Sequence, residues 1–386
     1  MTSPTAVQPI QEARVPFNRP FVTGNEFTYI REVIDSLALS GGGLFSQRSE
    51  NLLADALAVE SVLLTTSCTH ALEMAALLLD ILPGDEVVVP SFAFVSTVNA
   101  FVLRGAKPVF VDIRPDTLNM DERLLEDKIT SRTRAIVPVH YAGVACEMDP
   151  ILEAAGRHGL EVVEDNAHGL FGSYKGRTLG SIGRLATLSF HDTKNFTCGE
   201  GGALLINDPS LRARAEVIRE KGTDRAKFFR GEVDKYSWVG LGSSYVPSEI
   251  SAAYLFAQLE QRELVQRQRS SVWDYYRTHL AEWGRQRGVT LPTVPEHCGQ
   301  AFHMFYLLMP DAESRTTFIK HLADDRISSL FHYVPLHQSV MGAAFGYQTG
   351  DCPVTEDVSK RLVRLPFYTG LTSDAQARIV EAVRRF

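Results

Sequence analysis

The sequence is poor in cysteine and has no long apolar run. Its five cysteines, Cys68, Cys146, Cys198, Cys298 and Cys352, are scattered along 386 residues and form no CxxC pair. An odd, scattered set argues against a disulfide scaffold or a cysteine-bound zinc site and is typical of a reducing cytoplasm. No stretch of about 18 apolar residues exists to span a membrane, and the segment MTSPTAVQPIQEARVPF lacks the apolar core of a signal peptide. We therefore predict a cytoplasmic protein with no membrane partner.

Several common catalytic and nucleotide-binding motifs are also missing. No GxGxxG segment follows the first predicted strands, which argues against a Rossmann dehydrogenase, and no HExxH, GxSxG or GxxxxGKS/T motif occurs. The histidines are too dispersed to indicate a metal site, so we predict none. The net charge of −7, from 39 basic and 46 acidic residues, weighs against nucleic acid as the main partner. A small anionic ligand remains compatible with this net charge.

The sequence does contain short apolar runs that alternate with helical stretches. We predict strands at residues 61–65, 86–90, 107–112, 134–140, 161–166, 187–191 and 203–207, with helices at 69–80 and 95–104. An earlier helix opens with the capping-box pattern at Thr23–Glu26 and runs to about Leu39, and another lies near 47–58. Continuous Val/Ile/Leu runs are typical of strands buried on both faces, and their alternation with helices predicts a mostly parallel α/β sheet.

The character of the sequence changes after about Pro247. Long helical stretches follow, then an apolar run at 301–308 that we predict as a strand, a helix near 314–324 and the segment FHYVPLH at 331–337. We therefore predict a flexible tail at residues 1–13, a large domain at 14–247 and a smaller α+β domain at 248–386. This division agrees with the usual size of domains in a chain of this length.

Candidate ligand-binding residues follow the predicted strands, where doubly wound sheets bind their ligands. After the first strand, Ser67, Cys68 and Thr69 lead directly into a helix, whose free backbone N–H groups and dipole would cradle a phosphate. An ordinary helix N-cap accounts for the same residues. After the second strand, Phe92 and Phe94 are candidates to cover a planar ring or, alternatively, to fill the core.

An acidic residue and a lysine follow later strands. Asp165 ends a strand three residues before His168, and a carboxylate buried there is costly without a cationic partner, which a ligand would supply. A role as a cap for the next loop is the alternative. Lys194 lies in SFHDTKNFTCGEGGALL, five residues after Ser189, and alone it would be interpreted as a solvated charge.

The order of these features resembles the fold-type I enzymes that use pyridoxal 5′-phosphate (PLP), and within them the nucleotide-sugar aminotransferases. The segments GDEVVVPSFAFVSTVNA, VVEDNAHGLFGSYKGRTLGSIG, SFHDTKNFTCGEGGALL and FHYVPLH all resemble blocks of that family. The resemblance covers nearly the whole chain. It implies the fold-type I PLP-dependent transferase fold, a mostly parallel large domain and a smaller C-terminal α+β domain.

Two further segments resemble one subgroup of that family. The segments REKGTDRAKFFRGEVDKYSWVGLGSSYVPSEISAAYLFAQLE and AFHMFYLL are similar to enzymes that aminate C4 of dTDP-4-keto-6-deoxy-D-glucose. The resemblance implies L-glutamate as donor, pyridoxamine 5′-phosphate (PMP) between the half-reactions, a role in deoxyamino sugar biosynthesis and a homodimer with active sites at its interface. Amination at C3, or of a UDP- or GDP-keto sugar, is the nearest alternative. A PLP-fold ligand sensor without turnover is another, against which the intact Lys194–Asp165 pair weighs.

The resemblance also implies roles for individual residues. Lys194 matches the lysine that binds the cofactor aldehyde and moves the proton. Asp165 matches the carboxylate that keeps the pyridine nitrogen protonated. Phe94 matches the aromatic residue on the ring, with Phe92 as second choice. The residues that match phosphate contacts are Ser67, Cys68, Thr69 and Ser189.

The chain departs from the broad family at two positions. His168 stands where Gln often lies against the other face of the ring, so its protonation state would affect the electron sink. Ser244 stands where the family has an Asn that reaches the phosphate of the neighbouring subunit, and the shorter serine would need a bridging water. For the sugar nucleotide, we predict contacts from Lys221, Arg225, Arg230, His332 and Tyr333.

Overall fold

Twelve strands form three sheets in the structure, a computed structural model that describes residues 14–386. The predicted tail at residues 1–13 lies outside the described residues. The strands are β1 (Ser61–Thr65), β2 (Glu86–Pro90), β3 (Lys107–Val111), β4 (Thr133–Ile136), β5 (Glu161–Asp165), β6 (Ser173–Tyr174), β7 (Arg177–Thr178), β8 (Leu185–Ser189), β9 (Gly202–Ile206), β10 (Cys298–Gly299), β11 (Tyr306–Leu308) and β12 (Leu362–Arg364).

The α-helices of the described residues surround these sheets. They are α1 (Glu26–Ser36), α2 (Leu44–Leu57), α3 (Cys68–Leu78), α4 (Val95–Val102), α5 (Met148–His158), α6 (Arg212–Arg219), α7 (Arg225–Phe229), α8 (Glu249–Glu260), α9 (Arg262–Arg287), α10 (Ala312–Asp324), α11 (Val340–Ala344), α12 (Pro353–Arg361) and α13 (Ser373–Arg385). None of the helices within residues 14–386 is both long enough and apolar enough to cross a membrane.

The central sheet has seven strands in the order β1-β9-β8-β5-β4-β2-β3. Strand β9 runs antiparallel to both of its neighbours, and the other adjacent pairs are parallel. The predicted mostly parallel α/β sheet is therefore confirmed. Every residue of β1, β2 and β9 is buried, as expected for strands covered on both faces.

Alternate side chains of the same strand point to different cores. Leu63 of β1 packs with α3 residues such as Leu72, whereas Val62 joins a second cluster that includes Leu53 of α2 and Ala252 of α8. The twofold side-chain period of a strand produces this separation. Helices therefore cover both faces of the sheet.

A further core forms in the C-terminal part of the chain. Trp273 of α9, Phe305, Phe318 of α10 and Ile379 of α13 pack together in it. Strands β11 and β12 pair antiparallel beside this cluster. Helix α8, which follows residue 247, packs against α1 and α2 of the N-terminal part. The division at residue 247 stays a prediction.

Several predicted boundaries were wrong by a few residues. Helix α1 ends at Ser36 instead of near Leu39, because Leu37 adopts a left-handed conformation with φ 57°. Strand β4 ends at Ile136, since Pro138 has no N–H to donate and Val139 meets Asp165 only in an isolated bridge. The predicted strand at 301–308 is regular only from Tyr306, because Phe302 has φ 54°.

Candidate active site

Four strand ends bring the central residues of the site together. Strands β1, β5 and β8 end at Thr65, Asp165 and Ser189, and β9 begins beside them at Gly202 because it runs in the opposite direction. In the sheet, Gly202 pairs with both Thr65 and Ser189. The carboxyl edge of the parallel strands is the expected place for a ligand in this kind of fold.

The loop after β1 forms a cradle at the N-terminus of α3. Ser67 is the N-cap, and its hydroxyl accepts a 3.1 Å hydrogen bond from the His70 N–H. The first-turn N–H groups of Cys68 and Thr69 have no partner within the helix and are available to an anion. A Cβ at Gly202 would overlap the Ser67–Cys68 backbone, so only glycine allows this close approach.

The Cys68 thiol lies within this cradle as an uncharged group. Its Sγ is 3.5 Å from the Thr187 Oγ1, and burial raises the pKa of the Cys68 thiol to about 12. The thiol therefore brings no negative charge to a phosphate at neutral pH. The Thr69 hydroxyl lies 2.8 Å from that of Ser96 and is held at the start of the helix.

Asp165 is a buried carboxylate without a cationic partner. It is 4% exposed, and its oxygens accept hydrogen bonds from the Thr97 hydroxyl at 2.6 Å and the Ala167 N–H at 3.1 Å. No basic side chain of residues 14–386 forms an ion pair with it. Because a buried carboxylate without an ion-pair partner is costly, this environment suits a ligand that carries a protonated nitrogen.

Lys194 presents an unpaired amine in the same region. The side chain is half-buried, and its amine makes no hydrogen bond or ion pair with residues 14–386. Desolvation lowers the pKa of the Lys194 ammonium group to about 8; Cys68 and Asp165 oppose this shift and Arg364 adds to it. At pH 7 about a tenth of the amine is therefore unprotonated, far more than for an ordinary lysine, and the free amine is the form that attacks an aldehyde.

His168 is buried in a stack of rings and is uncharged. Its ring lies 4.2 Å from that of His303 with 17° between the planes, and 6.2 Å from that of His332. Burial, with a smaller effect of Lys194, holds the pKa of His168 well below its usual value. Its Nδ1 is buried without a hydrogen-bond partner among the described residues. A neutral imidazole at this position would not place a cation next to the cofactor ring.

The two candidate phenylalanines differ sharply in exposure. Phe92 is 1% exposed and packs against Tyr141 with 5.1 Å between ring centroids. Phe94 is 58% exposed at the N-cap of α4. Only Phe94 therefore has a ring face available to a ligand, whereas Phe92 belongs to the core.

Residues from the C-terminal part reach the same region. The His332 Nδ1 is 3.1 Å from the Tyr141 hydroxyl, and the Tyr333 ring lies 6.4 Å from that of Phe94. The structure therefore places His332 and Tyr333 beside the residues at the strand ends.

The other predicted sugar-nucleotide contacts include three basic residues that lie beside acidic side chains of their own chain. Lys221 and Arg225 lie 3.8 Å and 3.6 Å from the Glu220 carboxylate, and Arg230 pairs with Glu216 and Glu232. Within residues 14–386, no hydrogen bond or ion pair joins these three basic groups to Lys194 or Asp165. Ser244 is exposed and forms an isolated bridge with Glu220.

Sequence reasoning missed Thr97, His303 and Arg364. Arg364 is half-buried in the apolar strand β12, and its side chain donates one hydrogen bond of 3.0 Å, to the Phe331 carbonyl. Its Nε is buried without a partner, and no described carboxylate pairs with it. Burial lowers the pKa of the guanidinium group. A basic residue inside the apolar run Leu362–Leu365 was the available signal.

Comparisons with known proteins identify the family of this chain. The profile of the DegT/DnrJ/EryC1/StrS aminotransferase family matches residues 21–384. GDP-perosamine synthase from Caulobacter vibrioides is 35% identical over 372 residues, covering 96% of this chain and 97% of that protein. Spore coat polysaccharide biosynthesis protein SpsC from Bacillus subtilis is 33% identical over 378 residues, covering 96% of both. The structure of Spr1654 from Streptococcus pneumoniae in its PLP form has a TM-score of 0.90 at 26% identity, covering 97% of this chain and 98% of that one.

The chain therefore belongs to the DegT/DnrJ/EryC1/StrS aminotransferase family. It is a PLP-dependent sugar aminotransferase with the fold-type I architecture, which confirms the predicted fold, enzyme class and cofactor. The residues present fit PLP: a glycine-dependent anion cradle, a buried carboxylate without a cation and an unpaired amine. No group of three or more metal-binding side chains occurs among residues 14–386.

Proposed function

We propose that this enzyme moves the amino group of L-glutamate to C4 of dTDP-4-keto-6-deoxy-D-glucose. The product would be a dTDP-4-amino-4,6-dideoxyhexose. The observation that carries the chemistry of the proposal is that two groups lie near each other without forming an ion pair: the desolvated amine of Lys194 and the buried carboxylate of Asp165. Both lie at the carboxyl edge of the sheet, beside the cradle formed by Ser67, Cys68 and Thr69.

Each residue has a distinct part in this proposal. Lys194 binds the cofactor aldehyde and, when released by the donor, moves a proton with its Nζ. Asp165 holds the proton on the pyridine nitrogen, with Thr97 orienting its Oδ2. Bound PLP supplies an electron sink for the negative charge that develops at the substrate carbon. Phe94 and His168 cover the ring, and the phosphate is held by Ser67, Cys68, Thr69 and Ser189.

The amino donor requires a site for its carboxylates. Arg364 has donor groups without acceptors in the described part of the chain and lies close enough to Lys194 to influence its pKa. Guanidinium groups bind carboxylates through two parallel hydrogen bonds. We therefore assign Arg364 to the carboxylate of L-glutamate, which favours an anionic donor over a neutral amine.

The sugar nucleotide is assigned to the surface formed with residues of the C-terminal part. His332 and Tyr333 would line the sugar pocket beside Phe94. Lys221, Arg225 and Arg230 would meet the diphosphate, and each would first have to exchange a carboxylate partner of its own chain.

We also propose a homodimer with active sites at its interface, in which Ser244 faces the phosphate of the neighbouring subunit. Large apolar side chains support an interface because they are exposed in the single chain. They are Phe27, Leu37, Trp238 and Leu241. Large apolar side chains left exposed are often covered by a partner when they group into a patch. Light scattering that gave a monomer mass for the active enzyme would refute this part of the proposal.

Two assays test the chemistry. Purified protein should be yellow, and borohydride reduction followed by peptide mass mapping should place the cofactor mass on Lys194. A cofactor mass on another residue would refute the assignment of Lys194 as the residue that binds the cofactor. Lys194→Ala should abolish amination. If the variant turned over at the wild-type rate, the proposed role of the amine would be wrong. A ligand sensor would bind PLP without turning over glutamate.

A substrate panel tests the sugar. The second candidate is a GDP-linked keto sugar, which is favoured by the identity to a protein named GDP-perosamine synthase. The enzyme is given glutamate with dTDP-, UDP- and GDP-linked keto sugars, and NMR of the product identifies the carbon that gains nitrogen and its configuration. We expect the highest kcat/KM for the dTDP sugar with amination at C4. Preference for GDP, or amination at C3, would replace the proposed substrate.

A further inference from the structure

His303 joins two separate parts of the candidate site. Its Nδ1 lies 2.9 Å from the Oδ1 of Asn195, the residue that directly follows Lys194. A face of the His303 ring stacks on the ring of His168, with 4.2 Å between the two ring centroids. One buried side chain therefore contacts both the segment that carries the amine and the imidazole assigned to the cofactor ring.

The hydrogen-bond network defines which nitrogen of His303 carries the proton. The Nδ2 of Asn195 donates a 2.7 Å hydrogen bond to the Ala301 carbonyl, which leaves its Oδ1 as an acceptor. The Nδ1 of His303 must then be the donor. Burial, reinforced by His168 and Lys194, holds the pKa of His303 well below its usual value, so the ring stays neutral with Nδ1 protonated.

The backbone around His303 is held in an unusual conformation. Phe302 has φ 54°, a left-handed value that non-glycine residues rarely adopt. The buried Arg269 donates to the Phe302 carbonyl at 2.8 Å and to the His303 carbonyl at 2.6 Å. Strained backbone persists only where surrounding contacts maintain it, and such strain is concentrated at functional sites.

We propose that His303 is a positioning residue that fixes Lys194 and His168 relative to each other. The hydrogen bond to Asn195 holds the segment that carries Lys194, and ring stacking holds His168. This inference rests on the proposed roles of Lys194 and His168 at the cofactor. Because a small displacement of a reacting group lowers the rate of reaction far more than it lowers binding, the effect should fall mainly on kcat.

Two substitutions separate the two contacts. His303→Phe keeps an aromatic face for His168 but has no donor for Asn195. His303→Asn keeps an amide donor at the same distance from the backbone but has no ring. We expect each variant to weaken PLP binding to the cofactor-free protein about fivefold, as for the loss of one hydrogen bond or one ring stack. We expect kcat for the glutamate half-reaction to fall about tenfold, with KM for glutamate within about twofold.

Met304→Leu is the matched control, because it changes the next buried residue with little change in volume. It should leave PLP affinity and kcat unchanged. The proposal is overturned if both His303 variants match the wild type in PLP affinity and kcat. It is also overturned if their rates fall only in step with the unfolding temperature, since a purely structural role predicts that. Should His303→Phe fail to fold, His303→Asn alone decides between these outcomes.

The cofactor-affinity measurement needs no sugar substrate. If the wild-type enzyme did not aminate the dTDP sugar, the proposed substrate would fail while the test of His303 stayed valid. If borohydride labelling placed the cofactor on a residue other than Lys194, the proposed function and this inference would fail together. A wrong sugar substrate and a wrong role for His303 therefore give different experimental results.

Discussion

The Oδ2 of Asp165 accepts a 2.6 Å hydrogen bond from the Oγ1 of Thr97, and both side chains are buried. Thr97 is in the first turn of α4, and Asp165 is the last residue of β5. The hydroxyl holds one carboxylate oxygen, and the Ala167 N–H holds the other. The orientation of the carboxylate is therefore set by the protein before any ligand arrives.

This arrangement predicts unequal effects for two substitutions. Asp165→Asn removes the negative charge that would hold a proton on the cofactor nitrogen, and we expect the rate of amination to fall about 100- to 1,000-fold, the range found for the loss of one electrostatic stabiliser. Thr97→Val removes only the orienting hydroxyl, and we expect a loss of about fivefold, corresponding to one hydrogen bond. Stopped-flow measurement of the glutamate half-reaction compares them. Equal losses in the two variants would show that removing the charge of Asp165 costs no more than removing the hydroxyl that orients it.

The lowered pKa of Lys194 predicts its reactivity in the cofactor-free protein. With a pKa of about 8, the side chain is half free amine near pH 8, and the unreactive ammonium form predominates at lower pH. An acylating reagent should therefore label Lys194 with a midpoint near pH 8, well below the value of about 10.4 for an ordinary lysine.

Lys175 provides an internal control for this labelling. It pairs with Asp149 at the surface, and that contact raises the pKa of Lys175. Peptide mass analysis of the same samples should show Lys175 labelled only at higher pH than Lys194. A common midpoint for the two lysines would contradict the desolvated environment of Lys194.

The neutral state of His168 predicts that it adds no ionisation to the pH profile. Between pH 6 and 8, His168→Gln should retain the acid limb of the wild-type profile of kcat/KM for glutamate, because burial keeps the imidazole uncharged in this range. We expect kcat/KM of the variant to remain within about tenfold of wild type, since the planar amide of glutamine can also pack against a ring and make hydrogen bonds. Disappearance of a limb near pH 6.5 in the variant would show that His168 titrates.

The close approach of Gly202 to the Ser67–Cys68 backbone predicts a specific defect in cofactor binding. The added methyl group of Gly202→Ala would push the cradle away from its place at the start of α3. We expect PLP to bind the cofactor-free protein at least about tenfold more weakly, since the phosphate contacts depend on the backbone N–H groups of that loop.

Gly156 is a suitable control for the effect of an added methyl group. It is exposed in helix α5 and has open space where a Cβ would be built. Gly156→Ala should leave PLP affinity unchanged and raise stability slightly, by about 0.5–1 kcal/mol. If Gly202→Ala bound PLP as tightly as Gly156→Ala does, the cradle would not be the phosphate site.

Local sequence patterns were sufficient for the central sheet. The apolar runs of β1 and β2 were recognised within their correct bounds because both faces of these strands are buried. Asp165 was proposed because it ends a strand, and Lys194 because it completes an order of features that resembles a known family. Their electrostatic environment was not recognisable, since it depends on which side chains tertiary packing places beside them.

Residues from the C-terminal part of the chain were harder to predict. His303 and Arg364 are distant in sequence from Lys194, and the only local signal was the basic side chain of Arg364 inside an apolar run. Conversely, Arg225 and Arg230 looked available for a diphosphate, but the folded chain pairs them with Glu220 and Glu216. A charged residue in a sequence shows its own charge and gives no indication of the partner that folding brings to it.

Arg364 supports the last prediction, which separates the two half-reactions. If its guanidinium group binds a carboxylate of glutamate, Arg364→Gln should raise KM for glutamate about 10- to 100-fold, as for the loss of a charged hydrogen bond. The reaction of the PMP enzyme with the keto sugar should keep its KM within about twofold, because that substrate has no carboxylate. Arg267→Gln is the control, because Arg267 is exposed and its ion pair, 3.7 Å from Glu263, lies at the surface. An equal rise in KM for both substrates would point to a general distortion of the site, and no rise for glutamate would remove Arg364 from donor binding.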